Sequence, residues 1–291
     1  MTAALRLAGG VVVLGMYAIV LKPAAVSVTP RSGSMEPAAE EWIARSTDAF
    51  RGGRYADALD PTLRLIDRFP TQHVYVERLA RIYGQLGRAS DEAAAWERFI
   101  DLSPTPLDAC PAIGNAYARA GERTRSLGAF ERCVSFDTRN AEMHFFLGLA
   151  YERAGRTDEA RAQYSHAVAI DARSADAQLG LARLALHANQ IEEARRAADA
   201  VLVRDSTNAD ALLIAGLAAE RDGRLTEARA FLDRVLAAAP TYVDAHIALG
   251  RLDMRAGRIA DARRRFERAL ELDPARRPEI AIWLERTGGA K

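Results

Sequence analysis

Lysine is almost absent from this chain. Of 40 basic side chains in 291 residues only Lys22 and Lys291 are lysines, so surface pairing falls to arginine guanidiniums. An excess of either charge is missing too. The 40 basic groups meet 39 acidic ones, and a net charge of +1 lacks the basic surplus of a nucleic-acid-binding protein. Cysteine is confined to Cys110 and Cys133, so no lipidation site precedes residue 110. The five histidines, His73, His144, His166, His187 and His246, show no paired spacing that would hold a metal. No stretch alternates as a strand does, no glycine-rich phosphate loop follows a strand, and no GxSxG occurs. Adjacent carboxylates such as Asp158-Glu159 and Glu192-Glu193 fall at solvated helix starts. These absences argue against an enzyme and against any metal or cofactor.

What the chain does have is a period. Gly53, Gly87, Gly121, Gly155, Asn189, Gly223 and Gly257 follow one another at intervals of 34 residues without an insertion or deletion. Around Gly155, Phe145, Leu147, Gly148 and Tyr151 recur at helical spacing before the glycine, and Ala160, Tyr164, Ala167 and Val168 after it. Each unit therefore reads as two helices joined at a residue that must tolerate a left-handed backbone, which asparagine also does. Seven residues before each turn stands a small side chain: Ser46, Ala80, Gly114, Gly148, Ala182, Gly216, Gly250. Five after it comes alanine or serine, except at Glu92, where the spacing predicts a rotated or loosened helix. Larger side chains nine after the turn (Trp96, Phe130, Tyr164, Leu232, Phe266) are expected to fill the space between units. Pro70, Pro104, Pro240 and Pro274 stop the second helix, and Asn140, Ser174 and Asn208 are expected to cap the next one.

With the tyrosines Tyr83, Tyr117 and Tyr151, these features resemble the tetratricopeptide repeat. The resemblance implies an all-α fold, a right-handed α-solenoid of seven 34-residue helix-turn-helix repeats. The units run 39–72, 73–106, 107–140, 141–174, 175–208, 209–242 and 243–276, and a capping helix and frayed tail occupy 277–291. It also implies that residues ten, nine, six, three and two before each turn face a concave groove. Those positions supply a central apolar strip with Phe145, Leu149, Leu179, Leu213 and Leu217, flanked by Arg78, Arg81, Arg183 and Arg251, and Asn115 for a ligand backbone. An extended or helical peptide segment of a protein client fits that lining. Ile43 and Thr47 stand where some family members carry a carboxylate-gripping set, which argues against that mode. The row two before the turn (Arg51, Gln85, Arg119, Arg153, His187, Arg221, Arg255) is expected to cap helix ends rather than bind anions.

Ahead of the repeats, an uncharged apolar run from Leu7 to Leu21 lies between Arg6 and Lys22. As a helix it spans about 22 Å, short of a bilayer core of roughly 30 Å, and the flanking cations lengthen its reach by snorkelling. Residues 1–22 therefore read as a retained single-pass inner-membrane anchor, with a cleaved secretory signal as the alternative, and 23–38 as a flexible linker. Either way the repeats are expected in the periplasm or outside the cell. There Cys110 and Cys133 are free to bridge, although paired helices often hold Cα atoms too far apart, and two small buried thiols are the favoured reading. The whole resembles membrane-anchored tetratricopeptide proteins of bacterial envelope biogenesis. That resemblance implies a scaffold or assembly factor for a client or a multiprotein envelope complex. Self-association with an empty groove is the competing expectation.

Overall fold

The computed structural model describes residues 37–288, and within them every regular element is helical. Seven antiparallel pairs follow one another: α1 (Pro37–Arg51) with α2 (Tyr55–Arg68), α3 (His73–Gln85) with α4 (Ala89–Leu102), and α5 (Cys110–Arg119) with α6 (Arg123–Phe136). Then come α7 (Ala141–Arg153) with α8 (Thr157–Ile170), and α9 (Ala175–His187) with α10 (Ile191–Leu202). The last two pairs are α11 (Ala209–Arg221) with α12 (Leu225–Ala238), and α13 (Val243–Arg255) with α14 (Ile259–Leu272). A final helix, α15 (Arg277–Gly288), packs on α14 and buries Ile280 there. The architecture is an α-solenoid of helix-turn-helix repeats. The anchor, the linker up to residue 36 and the last three residues lie outside the described residues.

The turns form as their sequence demands. Gly155 has φ +76°, its N–H bonds to the Glu152 carbonyl at 2.9 Å, and the next N–H, of Arg156, reaches back to Tyr151 at 2.9 Å. That double bond pattern satisfies the last carbonyls of the first helix. Asn189 takes the same role at φ 59°, the one non-glycine residue with positive φ among the described residues. At the other end, the side chains of Asn140 and Asn208 accept the Met143 and Ala211 N–H groups at 3.1 and 3.0 Å, and Ser174 accepts from Ala177 at 3.4 Å. The terminal prolines stand two residues beyond α2, α4, α12 and α14.

Within each pair, size is matched across 16 residues of sequence. A Cβ placed on Gly114 would fall 1.8 Å from the Phe130 ring, on Gly148 2.7 Å from Tyr164, and on Gly250 2.6 Å from Phe266. Gly216 meets the smaller Leu232 at 3.0 Å. Where the first member is larger the second shrinks: Ala182 stands with Ala198, and Ser46 with Thr62, the last two sharing a buried 2.7 Å hydrogen bond. Ala80 with Trp96 is the exception, and the buried Trp96 Nε1 lacks a partner. The large side chains thus fill their own unit first; Tyr164 also reaches the next, its ring 2.8 Å from a Cβ on Gly180.

Two local expectations are corrected. Glu92 does not loosen its helix: it is buried, its carboxyl sits over Gly84, and Arg119 of the following unit bonds to it. Gly84 supplies the room that a small residue at 92 would have left. Cys110 and Cys133 are not free thiols but a disulfide, with Cα atoms 6.0 Å apart. Cys110 opens α5 after a tight turn at Pro106–Ala109, which brings the helix start close to the end of α6.

Gly128 offers an internal control, since nothing lies within 4 Å of a Cβ there. Gly128→Ala should stabilise the chain by about 0.5–1 kcal/mol through helix propensity. Gly114→Ala gains the same propensity but overlaps Phe130, and overpacking of roughly 1–3 kcal/mol should outweigh it. Urea unfolding of the two variants should therefore move in opposite directions; a shared direction contradicts the packing described.

Candidate functional site

First helices of successive units touch one another (α5 with α7, α7 with α9, α9 with α11, α11 with α13), whereas second helices do not pair to that extent among the described residues. The stack is therefore tighter on the first-helix side, and those helices form its inner wall. On this wall Phe145, Phe146 and Leu149 of α7 are half-buried, and so are Leu213 and Leu217 of α11. Phe145 packs its ring on Phe146 at 5.3 Å and on Tyr164 at 5.9 Å, so the aromatic patch is held rigidly from behind. Leu179 leaves this strip. It is 7% exposed and lies in the core cluster with Ala211 and Ala215 of the next unit.

The arginines of the wall have partners inside the protein. Arg183 grips Glu152 with Nε and Nη2, both at 2.8 Å, and Arg251 bonds Glu220 at 2.8 Å. The two pairs are the same device two units apart: a carboxylate three before one turn and a guanidinium six before the next. Glu152 also accepts the Tyr164 hydroxyl at 2.7 Å. Burial opposes its ionisation, yet the hydrogen bonds from Arg183 and Tyr164 prevail and hold it below the usual carboxylate range. Burial and the bond to Glu152 together push the Tyr164 phenol up. Arg78 donates to Ser46 and Thr47 at 2.9 and 3.1 Å, and its burial lowers its pKa. Arg81 pairs with Glu77 on its own helix at 2.7 Å and is exposed.

Asn115 opens onto a cavity of about 480 Å³ between the third and fourth units, lined also by Ala118, Arg119, Arg123, Ala150 and Arg153. Arg119 is engaged with Glu92, whereas Arg123 and Arg153 sit at the rim. In the row two before the turn, Arg51, Arg119, Arg153, His187, Arg221 and Arg255 stand in the last turns of their own helices, where a cation meets the helix dipole as expected. Arg221 bonds the Leu186 carbonyl in the last turn of α9, and Arg255 approaches Glu220 at 3.6 Å, so these side chains clamp the preceding unit. Glu152 and Glu220 escaped the sequence reading. Their signal was present as a carboxylate followed 31 residues later by arginine, in two of the units.

Because the Glu152 pKa is depressed on folding, its contribution is present above its ordinary value near 4.5 and disappears as pH falls through the lower folded value. Glu152→Gln should cost about 1–3 kcal/mol at pH 7. In chemical unfolding at several pH values that difference should shrink below about pH 4; a difference independent of pH contradicts the ion pair.

Two sequence profiles described as tetratricopeptide repeat match residues 112–177 and 179–243, and 219–282, together more than half of the chain. No curated protein sequence is significantly similar. Among solved structures, a tetratricopeptide repeat protein from Parabacteroides merdae ATCC 43184 superposes with a TM-score of 0.68 at 15% identity, covering 87% of this chain and 100% of its own. The APC/C hetero-tetramer Cut9–Hcn1 gives a TM-score of 0.64 at 15% identity, over 83% of this chain and 48% of that one. The thermophilic TPR protein TTC0263 of Thermus thermophilus gives 0.54 at 19% identity, over 62% and 98%. At such identities the superpositions speak to the fold alone. Periodic turns, size-matched helix pairs and matched profiles agree, and the chain belongs to the tetratricopeptide repeat family, whose members bind protein or peptide partners.

Proposed function

We propose that this chain is a protein-binding scaffold or assembly factor that holds a peptide segment of a client along its inner wall. The observation that carries the reading is the half-buried patch of Phe145, Phe146 and Leu149, with Leu213 and Leu217 two units on. These side chains face the open side of the stack while comparable apolar residues such as Leu147 and Leu212 are buried. Arg183 and Arg251, paired on one side with Glu152 and Glu220, keep further donors for client carbonyls or carboxylates. Arg81, Asn115 and Arg78 extend the surface toward the N-terminal units.

The scaffold works at the outer face of a membrane, tethered by the run Leu7–Leu21. No helix among the described residues is long and apolar enough to cross a membrane, and that run lies outside them. The Cys110–Cys133 disulfide supports placement outside the cytoplasm, where such bonds persist. An envelope complex of several proteins is the assembly such a tethered scaffold would serve.

Phe145→Asp with Leu149→Asp separates client binding from self-association. Crosslinking in native membranes followed by mass spectrometry should lose the client adducts, while size-exclusion chromatography shows an unchanged oligomeric state. Undiminished adducts, or a changed oligomeric state in their place, would contradict the groove reading. N-terminal sequencing of the membrane-fraction protein should find Met1 or Thr2; a start beyond the apolar run would exclude the retained tether.

A further inference from the structure

At the station held by Tyr83, Tyr117 and Tyr151 in earlier units, the seventh unit has Asp253. Its side chain is only 2% exposed, and guanidiniums from three segments converge on it. Arg258, just past the turn, donates Nε at 2.8 Å; Arg265 of α14 donates Nε at 3.0 Å; Arg229 of α12 closes the third side. Burial opposes ionisation of Asp253, but the bonds from Arg258 and Arg229 prevail and hold it below its ordinary range. One carboxylate offers a single charge and two oxygens, against three cations with about five N–H donors each. Asp233, a second acid near this group, stands 4.0 Å from Arg265. Asp253 therefore accounts for only part of the charge and donor capacity gathered there.

The remainder lines an open cavity of about 340 Å³ between α12, α13 and α14, on the second-helix side of the stack. Arg264 and Arg268 join its wall, paired with Asp261 and Glu271, so five guanidiniums meet four carboxylates, Asp253, Asp233, Asp261 and Glu271. His246 forms part of the same wall. Its Nε2 donates to the Pro240 carbonyl at 3.0 Å, since a carbonyl can only accept, and its Nδ1 is buried without a partner. With its proton on Nε2 the ring leaves Nδ1 an acceptor, so donors for an anion come from the guanidiniums and not from this imidazole.

The geometry points to an anion site for a phosphate dianion, either the free ion or the monoester of a small molecule. Donors arriving from three elements match an oxyanion whose acceptor oxygens point in several directions, whereas a planar carboxylate suits a single bidentate fork. The phosphate's negative charge offsets the remaining cationic surplus, and its oxygens take N–H donors that the carboxylates leave unused. The cavity lies at the small end of ligand clefts, which favours a compact ligand over a polymer. It is separate from the inner wall, and so it does not depend on client binding there.

Thermal unfolding and calorimetric titration of the purified chain with sodium phosphate, and separately with glycerol 3-phosphate, test this against sodium chloride at matched ionic strength. Phosphate should raise the unfolding midpoint saturably while chloride does not. A response to glycerol 3-phosphate as well assigns the monoester, and its absence the free ion. Arg264→Gln with Arg268→Gln, both exposed and bonded among the described residues to Asp261 and Glu271, should weaken binding about tenfold. Asp253→Asn should be less stable in chloride yet gain more from phosphate, because a competing anion is gone. Equal midpoints in phosphate and chloride, or an undiminished response in the double arginine variant, would overturn the site.

Discussion

How closely two antiparallel helices approach decides the rest of this structure. Where the first helix carries glycine, the second carries an aromatic ring or leucine that occupies the missing side chain's place: Gly114 with Phe130, Gly148 with Tyr164, Gly216 with Leu232, Gly250 with Phe266. A close-packed interior tolerates little variation in volume, so each match fixes the spacing of its pair. Seven such spacings in series set the pitch of the solenoid and the spacing of its inner wall. Tyr164 shows the link to the site most directly. It fills the space over Gly148 and Gly180, backs the Phe145 ring and bonds Glu152, the carboxylate that Arg183 grips. Packing, the apolar patch and the ion pair therefore share one side chain.

Electrostatics joins units where packing alone leaves them side by side. The Glu152–Arg183 and Glu220–Arg251 pairs, the Arg119–Glu92 pair and the Arg221 bond to Leu186 each cross a boundary between units. In a chain nearly without lysine these contacts are made by planar guanidiniums with several donors, so one side chain can hold two acceptors. Exposed pairs of this kind contribute little each, but Glu152 and Glu220 are largely shielded from water, and there the bonds fix register. The disulfide adds a covalent clamp in the third unit, whose short first helix begins only after the turn that Pro106 opens.

The fold was legible because its determinants are local and repeated. A positive-φ turn, an N-cap or a helix-stopping proline acts on its own neighbours, and seven occurrences average out the exceptions. Placement on the first helices was legible too, as a consequence of the repeat. What each wall residue does was not. Arg183 and Arg251 read as free groups until Glu152 and Glu220, 31 residues back and on another helix, came within reach. Leu179 joins the core cluster with Ala211 and Ala215 of the next unit, whereas Leu213 at the same station stays half-buried, a difference set by neighbouring units rather than by leucine itself. The cysteine bridge depended on a backbone distance that a tight turn sets. These are properties of pairs, and a single residue type does not reveal its partner.

A double-mutant cycle on Gly250 and Phe266 tests the size-matching constraint most directly. Phe266→Ala with Gly250→Ala recreates the alanine–alanine pair that the chain itself uses at 182 and 198. Gly250→Ala should cost about 1–3 kcal/mol opposite Phe266, yet be neutral or stabilising by up to about 1 kcal/mol opposite alanine. Equal cost in both backgrounds, measured by urea unfolding, would mean that the two positions do not set the spacing between these helices.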